Sequence, residues 1–181
     1  ISAGFAICGT VTSQEIVDKC KGNKGLPWAG TYSNDPLPAA VALKQLQIVI
    51  RENLTEHSAR VGDILEQKLV ALQNSHECIG DVRGHGLYRM LDIVVDRKSR
   101  TANPELAERI RREAMLEGIV MIAVKNFMRI CPPLIVKKDE IDDIMGRLDT
   151  AITRAVSNQT EKIEFSSSSS LAATDKIRRV A

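Results

Sequence analysis

Residues 78–96 read "CIGDVRGHGLYRMLDIVVD". Two strand-like runs meet at Gly84, His85 and Gly86, the composition of a hairpin turn. Working downstream, "PELAERIRREAMLEG" (104–118) predicts a helix. Asn103 suits its cap, Pro104 its first position and Gly118 its exit. "IVMIAV" (119–124) and "FMRICPPLIV" (127–136) read as two further strands, with Pro132 and Pro133 ending the pairing of the second. "KKDEIDDIMGRLDTAITRAV" (137–156) closes the series as a helix with Ile141, Ile144, Leu148 and Ile152 as its apolar row. Strand, strand, helix, strand, strand, helix is the order of an α+β domain whose helices cover one face of a small sheet.

Upstream, residues 55–75 place Val61, Ile64, Leu65, Leu69 and Leu72 on one helical stripe. Ala40, Leu43, Leu46 and Ile50, with Ala39 and Val49, keep a helical period from Leu37 onward. Residues 37–75 are therefore a long helix or a helix pair. "KGNKGLPWAG" (21–30) is a loop, and "QEIVDKC" (14–20) a short helix capped by Thr12 or Ser13. "GFAICGTVTS" (4–13) predicts a buried strand that belongs to a different, larger domain. The expected organisation is thus 1–36 as a large-domain remnant, 37–75 as linking helices and 76–157 as the small domain. Residues 158–181, with their serine run, are expected to form a disordered tail.

The chain has 181 residues, 44% hydrophobic and 27% charged, with a formal net charge of +2. That is a globular composition. Arg109, Arg111 and Arg112 are offset by Glu105, Glu108 and Glu113, and aromatics are only 3%. Neither a basic stripe nor a stacking surface for nucleic acid is present in the sequence. The four cysteines, Cys8, Cys20, Cys78 and Cys131, form no C-x-x-C pair and read as packing residues in a reducing, cytoplasmic setting. No apolar run reaches membrane-spanning length. The chain opens on Ile1 in what reads as the middle of a domain, so a fragment is expected.

Four stretches in register carry a family resemblance: "ISAGFAICGTVTS" (1–13), "TYSNDPLPAAVALKQL" (31–46), "CIGDVRGHGL" (78–87) and "MRICPPL" (128–134). The chain resembles the C-terminal part of class III aminotransferases, which use pyridoxal phosphate. "DPLPAA" and "CIGDVRG" look like the 2,2-dialkylglycine decarboxylase branch. The resemblance implies an α+β small C-terminal domain plus a remnant of the α/β large domain of a fold type I enzyme. It implies a homodimer that acts on amino acids and keto acids by transamination, with or without decarboxylation. The lysine that holds the cofactor covalently is expected just upstream of Ile1. By this reading the chain alone lacks its catalytic anchor and is inactive. The alternative is a non-catalytic homologue or a docking domain.

By the same resemblance, Thr31 hydrogen-bonds the phosphate of the cofactor held by the other subunit. A hydroxyl ahead of a helix N-terminus suits a phosphate dianion. Thr31, Ser33 and Asp35 match the ligands of a monovalent cation, potassium or sodium, and hard oxygen donors suit such an ion. Read from the residues alone, Asn34 and Asp35 cap a turn ahead of Pro36. Arg129 matches the arginine that grips the substrate α-carboxylate, a task for a planar guanidinium. Its other reading is a strand-edge arginine in a surface ion pair. Arg83, Gly84 and Gly86 match a structural R-G-x-G turn, with His85 facing solvent. Lys21 and Lys24 show no spacing that would lower a pKa.

Two departures from the family pattern stand out. Arg89 and Met90 occupy positions where small or aliphatic residues are expected, and a charge there must find a partner or face solvent. "MIAVKNFMRI" (121–130) is shorter than the family's loop before the carboxylate-binding arginine.

Overall fold

The computed structural model describes residues 6–21 and 35–157. Thr31, Ser33, Asn34, Lys24 and the serine-rich tail lie outside the described residues. The chain divides after Thr55 into two units, each described by itself.

In the first unit, α1 (Gln14–Lys21) begins where Ser13 Oγ accepts the Ile16 N–H at 3.3 Å. Ser13, rather than Thr12, is the cap. Residues 6–13 form no strand, and all but Ile7 are exposed. The expected buried strand is therefore not found there. A single extended segment forms a strand only where a neighbour takes its backbone hydrogen bonds, and no described strand of this chain pairs with it. Helix α2 (Pro36–Arg51) follows Asp35, with Pro36 at its first position. Its apolar row is largely open: Leu43, Leu46 and Ile50 are exposed, and only Ala42 is buried. Asn53 then takes a left-handed φ of 51°, which asparagine tolerates better than most residues, and the helix ends. The 37–75 stretch is accordingly a helix pair.

In the second unit, α3 (Leu54–Ser75) carries the expected stripe: Val61, Leu65, Leu69 and Leu72 are buried. These side chains share one core with the sheet and with the two helices that follow. The hairpin of β1 (Ile79–His85) and β2 (Tyr88–Ile93) comes next. Helix α4 (Pro104–Leu116) starts with Asn103 Oδ1 accepting the Leu106 N–H at 3.1 Å. It is released at Gly118, whose φ of 83° suits a residue without a Cβ. Strands β3 (Ile122–Val124) and β4 (Phe127–Ile130) form a second hairpin, and α5 (Lys138–Ser157) ends the described chain.

The sheet order is β1-β2-β4-β3, antiparallel throughout. Ile79, Leu91, Ile93, Met128 and Ile130 face the core with Leu106, Ile110, Ile141, Leu148 and Ile152. Strand side chains alternate between faces, so Arg83, Met90, Asp92, Phe127 and Arg129 lie on the opposite, uncovered face. On α4, Glu108 accepts from Arg111 at 2.7 Å and from Arg112 at 3.2 Å. The Arg111 hydrogen bond is the main reason its carboxyl is held down at about 2. The cations of α4 are thus partly neutralised within their own helix. No described helix is long and apolar enough to cross a membrane.

Candidate active-site arginine and its supports

Arg129 lies mid-strand in β4, exposed on the uncovered face. Its cross-strand neighbours are Met90 on β2 and Ile122 on β3. Both are apolar, so neither can neutralise it, and its side chain has no hydrogen bond or ion pair among the described residues. The other arginine of that face is engaged. Arg83 lies 3.7 Å from Asp92 and 3.9 Å from Asp81, with its guanidinium 5.0 Å from the centroid of the Phe127 ring. One guanidinium of this surface is therefore held, and the other is available to an incoming anion. A cavity of about 270 Å³ on the helix side of the sheet, walled by Leu65, Met121, Pro132, Pro133 and Met145, borders the same strand at Arg129.

The short β3–β4 connection explains the local geometry. Lys125 takes a φ of 55° in a two-residue turn. The side-chain amide of the buried Asn126 donates to Asp92, and the backbone carbonyl of Asn126 accepts the Ile93 N–H at 2.8 Å. The tight hairpin seats the Arg129 strand against β2.

Asp35 is placed as a helix cap, its Oδ1 accepting the Leu37 N–H at 3.1 Å. Thr31 and Ser33, the other expected cation ligands, lie outside the described residues. Among the described residues, no group of three or more His, Cys, Asp and Glu side chains could hold a metal ion. His85 is exposed at the hairpin turn. Of the cysteines, only Cys78 is buried, and burial pushes its thiol pKa up. Cys8, Cys20 and Cys131 are exposed, which corrects their reading as packing residues. Cys8 and Cys20 lie on exposed stretches of the first unit, and Cys131 lies just past the end of β4.

Arg89 resolves the first sequence anomaly. It is 4% exposed, on the core side of β2. Its Nε donates to Gly86 O at 2.9 Å, Nη1 to Gly84 O at 3.1 Å and Nη2 to Gly62 O at 3.3 Å. Nη2 also lies 3.0 Å from Glu66 Oε2. The guanidinium thus ties both glycines of the hairpin turn to α3. The sequence marked this charge as needing a partner, but the partners are mostly backbone carbonyls, which no residue pattern reveals.

The whole chain can now be compared with known proteins. Residues 1–152 match the family model described as aminotransferase class-III. A relative from Caenorhabditis elegans, ethanolamine-phosphate phospho-lyase homolog 1, is 36% identical over 154 residues, 83% of this chain and 32% of the relative. The mitochondrial alanine–glyoxylate aminotransferase 2 homolog 2 of Arabidopsis thaliana is 31% identical over 159 residues, 85% of this chain and 32% of its own. Among solved structures, a four-fold mutant of a thermostable omega transaminase from Pseudomonas jessenii superposes with a TM-score of 0.68 at 31% identity. That match covers 77% of this chain and 32% of the transaminase. The chain spans about a third of the length of the relatives it matches. With a family match over residues 1–152, which takes in the whole sheet that carries Arg129, the chain belongs to the class III aminotransferases.

Proposed function

We propose that this chain supplies the substrate-carboxylate arginine, and a contact to the cofactor phosphate, of a pyridoxal-phosphate-dependent aminotransferase acting on amino and keto acids. The observation that carries the reading is Arg129: an exposed guanidinium with no anionic partner among the described residues, flanked across the sheet by Met90 and Ile122. Between apolar neighbours a charge-assisted, two-point contact with a carboxylate is strong and orienting. Gripping the carboxylate fixes how the α-carbon is presented.

The segment that carries Thr31 leads directly into α2, whose Asp35 cap and Pro36 start define a helix N-terminus. Such a terminus fits a phosphate dianion, to which the Thr31 hydroxyl donates. The phosphate it contacts belongs to the cofactor of a partner subunit, so the reading includes a homodimer. Bound pyridoxal phosphate supplies electron withdrawal from the substrate α-carbon. The decarboxylating variant and the monovalent cation at Thr31, Ser33 and Asp35 are supported by the resemblance of "DPLPAA" and "CIGDVRG" to the decarboxylase branch.

Two substitutions in the cofactor-loaded enzyme that includes this chain separate these roles. Thr31→Val is expected to weaken cofactor retention by one to two decades, since a hydrogen bond to a charged group contributes roughly 1.5–3 kcal/mol. Equilibrium dialysis of the cofactor measures it. Arg129→Lys is expected to leave retention unchanged and to raise the amino acid concentration for half-maximal rate, because an ammonium cannot make the paired contact. If Arg129→Lys releases the cofactor and leaves the substrate dependence untouched, Arg129 does not hold the carboxylate.

A further inference from the structure

Residues 131–137 leave β4 two positions after Arg129, and they supply Cys131, Pro132 and Pro133 to the cavity that Arg129 borders. The start of this segment is fixed by strand pairing, since Ile130 sits opposite Arg89. Its far end is held at Lys137, whose N–H donates to Glu140 Oε2 at 2.7 Å at the start of α5, and at Val136 by a side chain of α3. His57 of α3 lies 2.9 Å, through Nε2, from the carbonyl oxygen of Val136, 79 residues away. Val136 is buried, and its N–H returns to Pro133 O at 3.0 Å. Pro132 and Pro133 have locked φ angles. A displacement at Val136 therefore has little besides the Leu134–Ile135 turn to absorb it before it reaches the two prolines and β4.

The imidazole tautomer follows from its second neighbour. Arg60 Nη2 lies 3.2 Å from His57 Nδ1. A guanidinium can only donate, so Nδ1 accepts and Nε2 carries the proton. The ring is a neutral relay: Arg60 donates into it, and it donates to the Val136 carbonyl. The Arg129 strand is thereby braced from α3, whose Leu65 walls the same cavity.

We propose that His57 is a positioning residue for substrate binding: by holding Val136 it sets the placement of the 131–137 segment and, through it, of Arg129. The inference rests on the reading of Arg129 as the carboxylate-binding residue. Three variants of the cofactor-loaded enzyme that includes this chain test it: His57→Leu, His57→Gln and Arg129→Lys. Leucine removes the donor, whereas the glutamine amide nitrogen can reach the place of Nε2. His57→Leu is expected to raise KM for the amino acid about tenfold with kcat and cofactor retention kept. That is below the roughly 100-fold that a misplacement of 1 Å can cost. His57→Gln should restore most of the loss. Amide hydrogen exchange at residues 131–137 should quicken in His57→Leu and return in His57→Gln. A merely structural role would lower stability without a selective rise in KM.

The failures are distinguishable. A raised KM in Arg129→Lys with a normal KM in His57→Leu overturns the role of His57 alone. A normal KM in Arg129→Lys overturns the reading of Arg129, and this inference with it. Unchanged exchange at 131–137 in His57→Leu also overturns it, since the segment would then not depend on the bond.

Discussion

Arg89→Met is expected to cost the protein about 2–4 kcal/mol, the order of one or two hydrogen bonds from a charged donor lost by buried acceptors. The guanidinium is 4% exposed and serves three carbonyls, of Gly62, Gly84 and Gly86, besides Glu66. Glu66 is 46% exposed, so it can turn to water and loses little. The burden falls on the glycine carbonyls, which lose a charged donor at the junction of the hairpin turn and α3. Such bonds contribute roughly 1.5–3 kcal/mol each, though neighbours sharing one group do not add. Methionine nearly fills the volume, which isolates the polar loss from a cavity term. Urea unfolding measures it as a lowered midpoint at unchanged slope. Arg89→Lys should recover only part, because its three donors radiate from one nitrogen and cannot fork across three carbonyls. A loss under about 1 kcal/mol in Arg89→Met would mean that desolvating the guanidinium cancels its bonds.

One substitution at two glycines should act with opposite signs. Gly62 of α3 lies against the hairpin turn so closely that an added Cβ would collide with the backbone carbonyl of Gly86. Backbone cannot yield as a side-chain tip can. Gly62→Ala must push α3 off the turn, straining the Arg89 contacts as well, and overpacking of this kind costs about 1–3 kcal/mol or more. Against this, alanine gains about 1 kcal/mol over glycine in a helix. The clash wins, and a net loss of up to about 2 kcal/mol is expected. Gly146, in the interior of α5, has nothing within 4 Å of its added Cβ. There only the propensity acts, and Gly146→Ala should stabilise by up to about 1 kcal/mol. Thermal melts of the two variants side by side decide the point. A stabilised Gly62→Ala would show that the helix and turn can separate at little cost.

The sheet and its helices were legible because their signals are local. The alternation around Gly84–Gly86, the Asn103–Pro104 start and the Gly118 exit of α4 each act within a few residues, and the α3 stripe repeats over several turns. Residues 6–13 misled for a physical reason. Their β-branched composition is that of a strand, but pairing depends on a neighbour that composition does not name. The α2 row has the same character: Leu43, Leu46 and Ile50 keep a helical period yet are exposed, since period fixes which residues share a face and not what covers it. Arg129 was visible through the motif around it, whereas its lack of an anionic partner emerged only from the sheet register. His57 gave no signal at all. Its bond spans 79 residues to a backbone carbonyl, and every residue type offers one.

The sheet order has a consequence for assembly. β1–β2 and β3–β4 are local hairpins, each able to form on the microsecond scale of such units. Only the β2–β4 seam joins them, and α4 lies in the chain between. That seam needs the intervening chain to close on itself, an entropic cost the hairpins do not share. Arg129 stands across this divide. Ile122 flanks it from within its own hairpin and Met90 from the other. Half of its setting forms with the second hairpin, and the other half arrives only when the last join in the sheet is made.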